Sequence, residues 1–261
     1  MSIRTQRKLN HLLQIWPKNA VFLASYLRQL GYSNQLLARY KKSNWIRSVG
    51  RGAYTRQEDS MTLEGSLYAL QVQAGLSTHQ GGKHALSLLG KAHYIELNRQ
   101  RVDLFGAPHE QLPAWFKNQE WGFKRLNYFI SSFLPPELGL ETIEVKEFHL
   151  KISSAVRAIM ECIYLAPDRQ DLMECLQLMQ GLNNMRPKVV QEMLENCKSV
   201  KVKRLFLYFA EKAGHDWLNR LNMEKIDLGL GKRSLGKGGV FIPKYKITVP
   251  PEIASYDSEV L

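Results

Sequence analysis

The first 57 residues contain no aspartate or glutamate, although they hold 11 lysines and arginines. An ordinary solvated surface mixes both signs. A one-signed stretch of this length is the electrostatic footprint of a polyanion-binding face. The imbalance is local: the net charge is +11 over residues 1–57, −3 over 58–150 and +4 over 151–261, giving +12 for the 261-residue chain. Long apolar runs are also missing. None approaches the roughly 18 residues that span a bilayer, and the charged amino terminus lacks the apolar stretch and small-residue cleavage site of a signal peptide. The expectation is a cytoplasmic protein with no membrane partner. Cysteine is scarce: Cys162, Cys175 and Cys197 are odd in number and show no C-x-x-C spacing. They read as small buried hydrophobes in a reducing compartment, without disulfide or metal roles.

Catalytic signatures are absent as well. The chain has no G-x-S-x-G, no H-E-x-x-H, no paired C-x-x-C and no telling carboxylate pair. Gly231–Gly238 (GKRSLGKG) copies a phosphate-binding loop until Gly238, where a serine or threonine would hold magnesium. Such a loop also needs a following helix to aim its N–H groups, and Val240-Phe241-Ile242-Pro243 reads as strand, so nucleotide binding is rejected. His79, His84 and His93 lie close in sequence, but no carboxylate or cysteine beside them completes a ligand set. The chain reads as a non-enzyme with no cofactor and no metal.

What is present is organised around residues 33–56, SNQLLARYKKSNWIRSVGRGAYTR. Ser33 is placed to cap a helix on which Leu36, Leu37 and Tyr40 recur on one side. The opposite side carries Asn34, Gln35, Arg39, Lys41 and Lys42. Asn and Gln bond adenine bidentately and Arg bonds guanine, so these are base-reading and phosphate-contacting types. After Asn44, two β-prone runs flank the Gly50-Arg51-Gly52 turn and predict a hairpin wing. Exposed Arg47, Arg51 and Arg56 are expected along it, with Arg51 at the tip free to reach phosphate or a minor groove. Upstream, residues 3–15 place Ile3, Leu9, Leu12, Leu13 and Ile15 on a helix face, and Pro17 ends it. A second helix over 19–30, capped by Asn19 and stopped by Gly31, completes a helix-turn-helix. Ser33, Asn34, Gln35, Arg39, Lys41, Lys42, Arg47, Arg51, Tyr54 and Arg56 are therefore the candidate DNA-binding residues, with double-stranded DNA the partner.

The run Ala24-Ser25-Tyr26-Leu27-Arg28-Gln29-Leu30-Gly31-Tyr32-Ser33, with Leu36-Leu37-Ala38-Arg39-Tyr40, Trp45-Ile46 and Gly50-Arg51-Gly52-Ala53-Tyr54, resembles the amino-terminal winged helix of AbiEi-type antitoxins. Asn44 stands where that family often has glycine before tryptophan, and asparagine tolerates the same left-handed backbone. Gly81-Gly82-Lys83-His84-Ala85-Leu86-Ser87-Leu88-Leu89-Gly90 is similar to the family's element of two glycines, an Ala-Leu pair and a closing glycine. The Gly81-Gly82 step reads as a structural turn in preference to a phosphate site at a helix N-terminus. The likeness covers about the first 100 residues in detail and the remainder in layout. It implies the antitoxin of a type IV toxin–antitoxin (abortive infection) system. Such a protein binds inverted repeats in its own promoter, represses its operon, and counteracts a nucleotidyltransferase-like toxin without a stable complex. It also implies a monomer in solution that pairs on DNA. A stand-alone winged-helix regulator, with a dimerising or sensing carboxy-terminal half, remains open beside it.

The expected fold class is α+β: an N-terminal winged helix-turn-helix followed by a larger mixed domain with a helical bundle and a C-terminal β-hairpin. Residues 1–92 are assigned to DNA binding and 93–261 to an antitoxin or regulatory domain. The second divides into a β-rich bridge (93–150), a helical bundle (151–222) and a basic hairpin (223–250). Residues 93–105 read as strand, turn and strand. The aromatics Trp115, Phe116, Trp121, Phe123, Tyr128, Phe129 and Phe133 lie in the acidic part of the chain, and core is the favoured reading over base stacking. Helices are expected over 152–165, 169–180 (capped by Asp168), 187–197 and 200–213, with strand from Ile226 to Leu230. Lys198, Lys201, Lys203 and Arg204 read as a solvated helix face. Lys232, Arg233, Lys237, Lys244 and Lys246 form a possible second basic surface, open to DNA or an acidic partner.

Overall fold

The computed structural model describes residues 3–91, 101–235 and 238–256, with side chains from residue 7 onward. Helix α1 (Ile3–Ile15) buries Leu9 and Leu12 and gives way to buried Trp16 before Pro17; Ile15, expected in the core, is exposed. The helix expected over 19–30 is shorter. Phe22–Leu23 form strand β1, and α2 (Ala24–Gln29) begins only after Leu23. The reason is tertiary: this β-prone run pairs with the wing, Phe22 opposite Tyr54 and Leu23 opposite Ala53, and pairing overrides helical periodicity. Asn19 caps nothing. It sits at φ 61° in the preceding turn, with its backbone N–H donating to Asp59 Oδ2 at 2.8 Å.

The centre of this half follows the sequence closely. Gly31 adopts φ 83°, and the Tyr32 N–H reaches back to the Leu27 carbonyl at 2.9 Å, closing α2. Helix α3 (Asn34–Lys42) is capped by the Ser33 hydroxyl, which accepts from the Leu36 N–H at 3.3 Å. Strands β2 (Ile46–Gly50) and β3 (Ala53–Arg56) form the antiparallel wing, and β3 sits between β1 and β2. Leu9, Leu12, Trp16, Phe22, Leu27, Leu37, Tyr40 and Ile46 are buried together beneath it. Helix α4 (Leu63–Tyr68) then crosses the back of the turn that follows α1. A Cβ on Gly65 would lie 2.0 Å from the Asn19 carbonyl oxygen, a backbone atom that has no rotamer to retreat into. Gly65→Ala is expected to cost about 1–3 kcal/mol through this overpacking, read as a lowered urea midpoint.

A five-stranded sheet links the halves. Its strands are β4 (His79–Gln80), β5 (Arg101–Gly106), β6 (Arg125–Ile130), β7 (Leu140–Val145) and β8 (Phe148–Ser153), in the order β6-β5-β4-β8-β7. The two-residue β4 is the middle strand, antiparallel to β5 and parallel to β8. Helix α5 (Gly82–Leu88) buries Ala85 and Leu86 in the core of the helical half, whereas α6 (Ala114–Lys117) puts Trp115 and Phe116 under the wing. The aromatics of this stretch are core or partly buried, as favoured. Of the strand, turn and strand expected over 93–105, β5 is present, and residues 93–100 lie outside the described residues.

The helical half comprises α7 (Ala155–Leu165), α8 (Leu172–Gln180), α9 (Pro187–Asn196) and α10 (Val200–Lys212). Ile152, expected at the start of a helix, belongs to β8, and the Ser154 hydroxyl caps α7. The cap of α8 is Asp171, which accepts from the Glu174 N–H at 2.8 Å; Asp168 lies three residues too early, in the preceding turn. Pro187 opens α9 and Gly214, at φ 68°, follows α10. The expected stripes, including Ile159, Ile163, Leu176, Met179, Val190, Met193, Leu205 and Phe209, are buried together. The chain closes with a small sheet of β9 (Arg233–Ser234), β10 (Val240–Ile242) and β11 (Ile247–Val249), then α11 (Pro251–Ser255). Strands β10 and β11 form the antiparallel hairpin, with β9 parallel on the other side of β11. Residues 226–230 are not a strand; they form a loop held from within the protein.

The basic run of α10 is a second departure. Lys203 and Arg204 are buried, not solvated, and Lys201 donates to the Tyr164 carbonyl at 2.8 Å and the Ala166 carbonyl at 2.5 Å. Arg204, 1% exposed, donates to four carbonyls: Leu228 at 2.8 Å, Gly229 at 2.9 Å, Gly231 at 2.7 Å and Lys246 at 3.0 Å. A planar guanidinium with five donors suits such a convergence, where an ammonium has only three.

Candidate nucleic-acid interface

Helix α3 turns Leu37 and Tyr40 inward, so helical geometry puts the intervening residues outward. Asn34, Gln35, Ala38, Arg39, Lys41 and Lys42 are all exposed. Arg28 of α2 reaches across the turn to Asn34 Oδ1 at 3.4 Å, and Lys8 of α1 donates to the Gly31 carbonyl at 3.2 Å. Two further cations, Lys8 and Arg28, thus stand beside the exposed side of α3. Beneath them, His11 Nδ1 and the Tyr32 hydroxyl lie 2.8 Å apart and fix α1 to the turn.

The step from helix to wing uses Asn44 at φ 55°, the left-handed conformation expected of it. Trp45, 44% exposed, stands at this step on the acid-free surface. It was not among the candidate site residues, and an exposed tryptophan leaves no trace in a periodicity. At the wing tip Gly52 takes φ 74°, its carbonyl accepts from the Ala24 N–H at 2.8 Å, and Arg51 beside it is exposed. The register shifts between Ser48 and Gly50. Gly50 is there because the wing rests on α6: a Cβ at that position would lie 2.5 Å from Trp115 Cβ.

Arg47 and Arg56 differ from expectation. Both are half-buried and turned toward the loop after the wing, where Arg47 Nη2 donates to the Asp59 carbonyl at 2.8 Å and Arg56 Nε pairs with Asp59 Oδ2 at 2.9 Å. The acid-free stretch ends at residue 57, and Asp59 anchors the root of the wing to the Asn19 turn. Tyr54 is half-buried, since β3 is flanked on both sides. The face that remains open comprises Asn34, Gln35, Arg39, Lys41, Lys42 and Arg51, with Ser33 committed to its cap.

On the C-terminal sheet Lys232, Arg233, Lys244 and Lys246 are exposed, and Lys237 lies outside the described residues. Lys232 Nζ sits 4.8 Å from the centroid of Phe241, and Lys244 pairs with Glu211. The strand β10 that follows the Gly231–Gly238 stretch accords with rejecting a phosphate-binding loop, which needs a helix there.

The Gly81–Gly82 turn is committed elsewhere. The Gly82 N–H donates to Glu161 Oε2 at 2.8 Å, and Glu161 also receives Ser153 Oγ at 2.7 Å, Arg157 Nε at 2.9 Å and His79 Nε2 at 3.2 Å. Burial alone would raise the Glu161 carboxyl. The His79 hydrogen bond and the charges of Arg157 and His79 outweigh burial and hold it below the ordinary carboxylate value. Arg157 in turn donates to the Pro135, Pro136 and Leu138 carbonyls. This polar cluster locks β4, β8 and α7 together. His84 packs against Gln80, and His93 lies outside the described residues. Among the described residues no group of three or more His, Cys, Asp or Glu could hold a metal ion. Also among them, no helix is long and apolar enough to cross a membrane. The three cysteines are buried and free, with burial raising their thiols; Cys197 is pushed up to about 11.

Comparison with known proteins supplies the family. No curated protein matches the chain. The crystal structure of the RV2827C protein from Mycobacterium tuberculosis is similar over 95% of this chain and 91% of that one, with a TM-score of 0.55 and 10% identity, a likeness of fold. The family model described as the AbiEi antitoxin N-terminal domain of a transcriptional regulator matches residues 5–97. A second, described as a transcriptional regulator, AbiEi antitoxin, of a type IV toxin–antitoxin system, matches residues 99–250. With both halves matched, the chain belongs to the AbiEi antitoxin family of transcriptional regulators, a regulatory family of type IV toxin–antitoxin systems and not an enzyme family.

Proposed function

We propose that this chain binds inverted-repeat DNA in its own promoter through α3 and the wing, represses its operon, and counteracts a nucleotidyltransferase-like toxin through its C-terminal part without a stable complex. In this reading residues 1–92 carry DNA recognition, residues 93–261 carry antitoxicity, and the protein acts in the cytoplasm as a monomer that pairs on DNA. The observation that carries the DNA half is the coincidence of an acid-free, 57-residue segment with a winged helix whose open face displays Asn34, Gln35, Arg39, Lys41, Lys42 and Arg51. The toxin half rests on family membership.

The division of labour on that face follows from chemistry. Gln35 and Arg39 carry planar groups that read base edges, so Gln35→Ala or Arg39→Ala should cost about 1–3 kcal/mol at the cognate site and relax sequence preference there. Lys42→Ala and Arg51→Ala should weaken all duplexes alike and reduce the salt slope by about 1 each. The test is binding of the pure protein to its own upstream DNA against a scrambled duplex, over a salt series. Promoter-selective, salt-sensitive binding supports repression; equal or negligible binding to both duplexes refutes it. Co-expression with the neighbouring gene's product then tests the toxin half separately.

A further inference from the structure

A cleft of about 660 Å³ lies between α6 and the edge strand β6, a size within the roughly 300–1,000 Å³ of small-ligand sites. Phe116, Trp121, Phe123 and Tyr128 line it, and Ile130, 47% exposed, opens it to solvent. Phe116 is buried, whereas Trp121, Phe123 and Tyr128 keep part of their surface in water. These rings are held in place. Trp121 Nε1 donates to the Phe116 carbonyl at 3.2 Å, and the two ring centroids are 4.8 Å apart. The Tyr128 hydroxyl lies 3.4 Å from Thr78 Oγ1. Aromatic faces already ordered lose little entropy when a flat ligand covers them.

The charge along this cleft is of the opposite sign to its segment of the chain, which carries −3 over residues 58–150. Lys117 lines it, and Lys124 and Arg125 stand in the chain between the lining residues Phe123 and Leu126. All three are exposed, and among the described residues none of them is engaged in an ion pair. Two carboxylates oppose them. Glu110 is committed to the backbone, accepting the Ser77 N–H at 2.7 Å and the Ala107 N–H at 3.4 Å. Glu120 is exposed, so three free cations face one free carboxylate.

We propose that the α6–β6 cleft binds a nucleobase carrying phosphate, the base stacked on Trp121 and Phe123 and the phosphate held by Lys117 and Lys124. The occupant follows from having both kinds of group in one place. An apolar peptide covers the rings and leaves the cations unanswered, and an inorganic anion does the reverse. Duplex DNA keeps its bases stacked on one another and offers the rings no open face. An unpaired base joined to phosphate satisfies rings and cations together, as in clefts that take single strands through aromatic platforms along a basic groove. A free nucleotide and an unpaired strand share this chemistry, and the cleft is open enough at Ile130 for either. The site is separate from duplex recognition by α3 and the wing and does not depend on it.

The test is calorimetric titration of the full chain with thymidine monophosphate, an unpaired thymidylate octamer and inorganic pyrophosphate. It is repeated on the full chain carrying Arg39→Ala, Lys42→Ala and Arg51→Ala together, which removes cations of the duplex-reading face and keeps a failure there distinct from a failure here. The expected result in both chains is one site that takes nucleotide at least about fivefold more tightly than pyrophosphate, the worth of a single stacked base. Phe123→Ala should weaken that site at least about fivefold, and Lys117→Glu should weaken it and lower its salt dependence. Lys117 is exposed, so its variant should melt with the parent and separate lost binding from lost folding. Equal affinity for monophosphate and octamer identifies a free nucleotide as the occupant, and a tighter octamer in the triple variant identifies an unpaired strand; either supports the site. Binding of neither, pyrophosphate bound as tightly as nucleotide, or parent-like affinity in Lys117→Glu overturns the proposal.

Discussion

Glu161→Ala should cost about 3–5 kcal/mol of stability, the range found when one partner of a buried charge pair is removed. Glu161 is 0% exposed and answers Arg157, His79, Ser153 and the Gly82 N–H at once. Its removal leaves a buried guanidinium without an anion and breaks the contact between α7 and the β4–α5 turn. Urea denaturation at neutral pH is the measurement, and a loss below about 1 kcal/mol would mean that solvent or other acceptors rescue the site. The same residue predicts a pH dependence. Its carboxyl titrates below the ordinary value in the folded protein, so as pH falls the unfolded chain takes up the proton first. The stability contributed by Glu161 is therefore complete at neutral pH, declines once pH passes below the ordinary carboxylate value, and is gone below the native one. Other carboxylates also titrate on this path, so the useful quantity is the difference from Glu161→Gln. The parent should lose more stability than that variant between neutral pH and pH about 3.

Arg204→Met should cost about 3 kcal/mol. Methionine fills much of the channel but offers no donor to the carbonyls of Leu228, Gly229, Gly231 and Lys246, and each buried acceptor left unpaired costs about 1–3 kcal/mol before relaxation. The expected signature is a lower urea midpoint together with faster hydrogen exchange at residues 228–231. Arg204→Lys should recover only part of the loss, because one ammonium has three donors and no planar fork. A parent-like midpoint for Arg204→Met would show that the loop is held by its other packing.

The contrast between these residues and the winged helix explains what could be read from the chain. Ser33 as cap, Gly31 as stop, Asn44 as the left-handed step and Gly50-Arg51-Gly52 as the turn are local features, decided within a few residues, and all stand as read. The β1 strand was hidden because residues 22–23 find their partner about 30 positions away, and helical spacing is indifferent to that. Burial of charge was hidden for the same reason. Arg204 looks like part of a solvated run until the carbonyls of residues 228, 229, 231 and 246 converge on it, and Arg47 and Arg56 look free until Asp59 folds back. The Glu161 cluster joins residues up to 82 positions apart and left no motif at all. The exposed side of α3 was legible because exposure on a capped amphipathic helix follows from periodicity alone.

The shortness and central place of β4 bear on how this protein can be divided. An expression fragment cut at residue 92 would carry away the middle strand of the five-stranded sheet together with α5. The remainder would keep β5 and β8 as two raw edges facing an empty slot, and exposed edges recruit strands from other molecules. The fragment itself would display Ala85 and Leu86 to water. A fragment that leaves the sheet whole ends before His79, so that the middle strand stays with the β5 and β8 edges it completes.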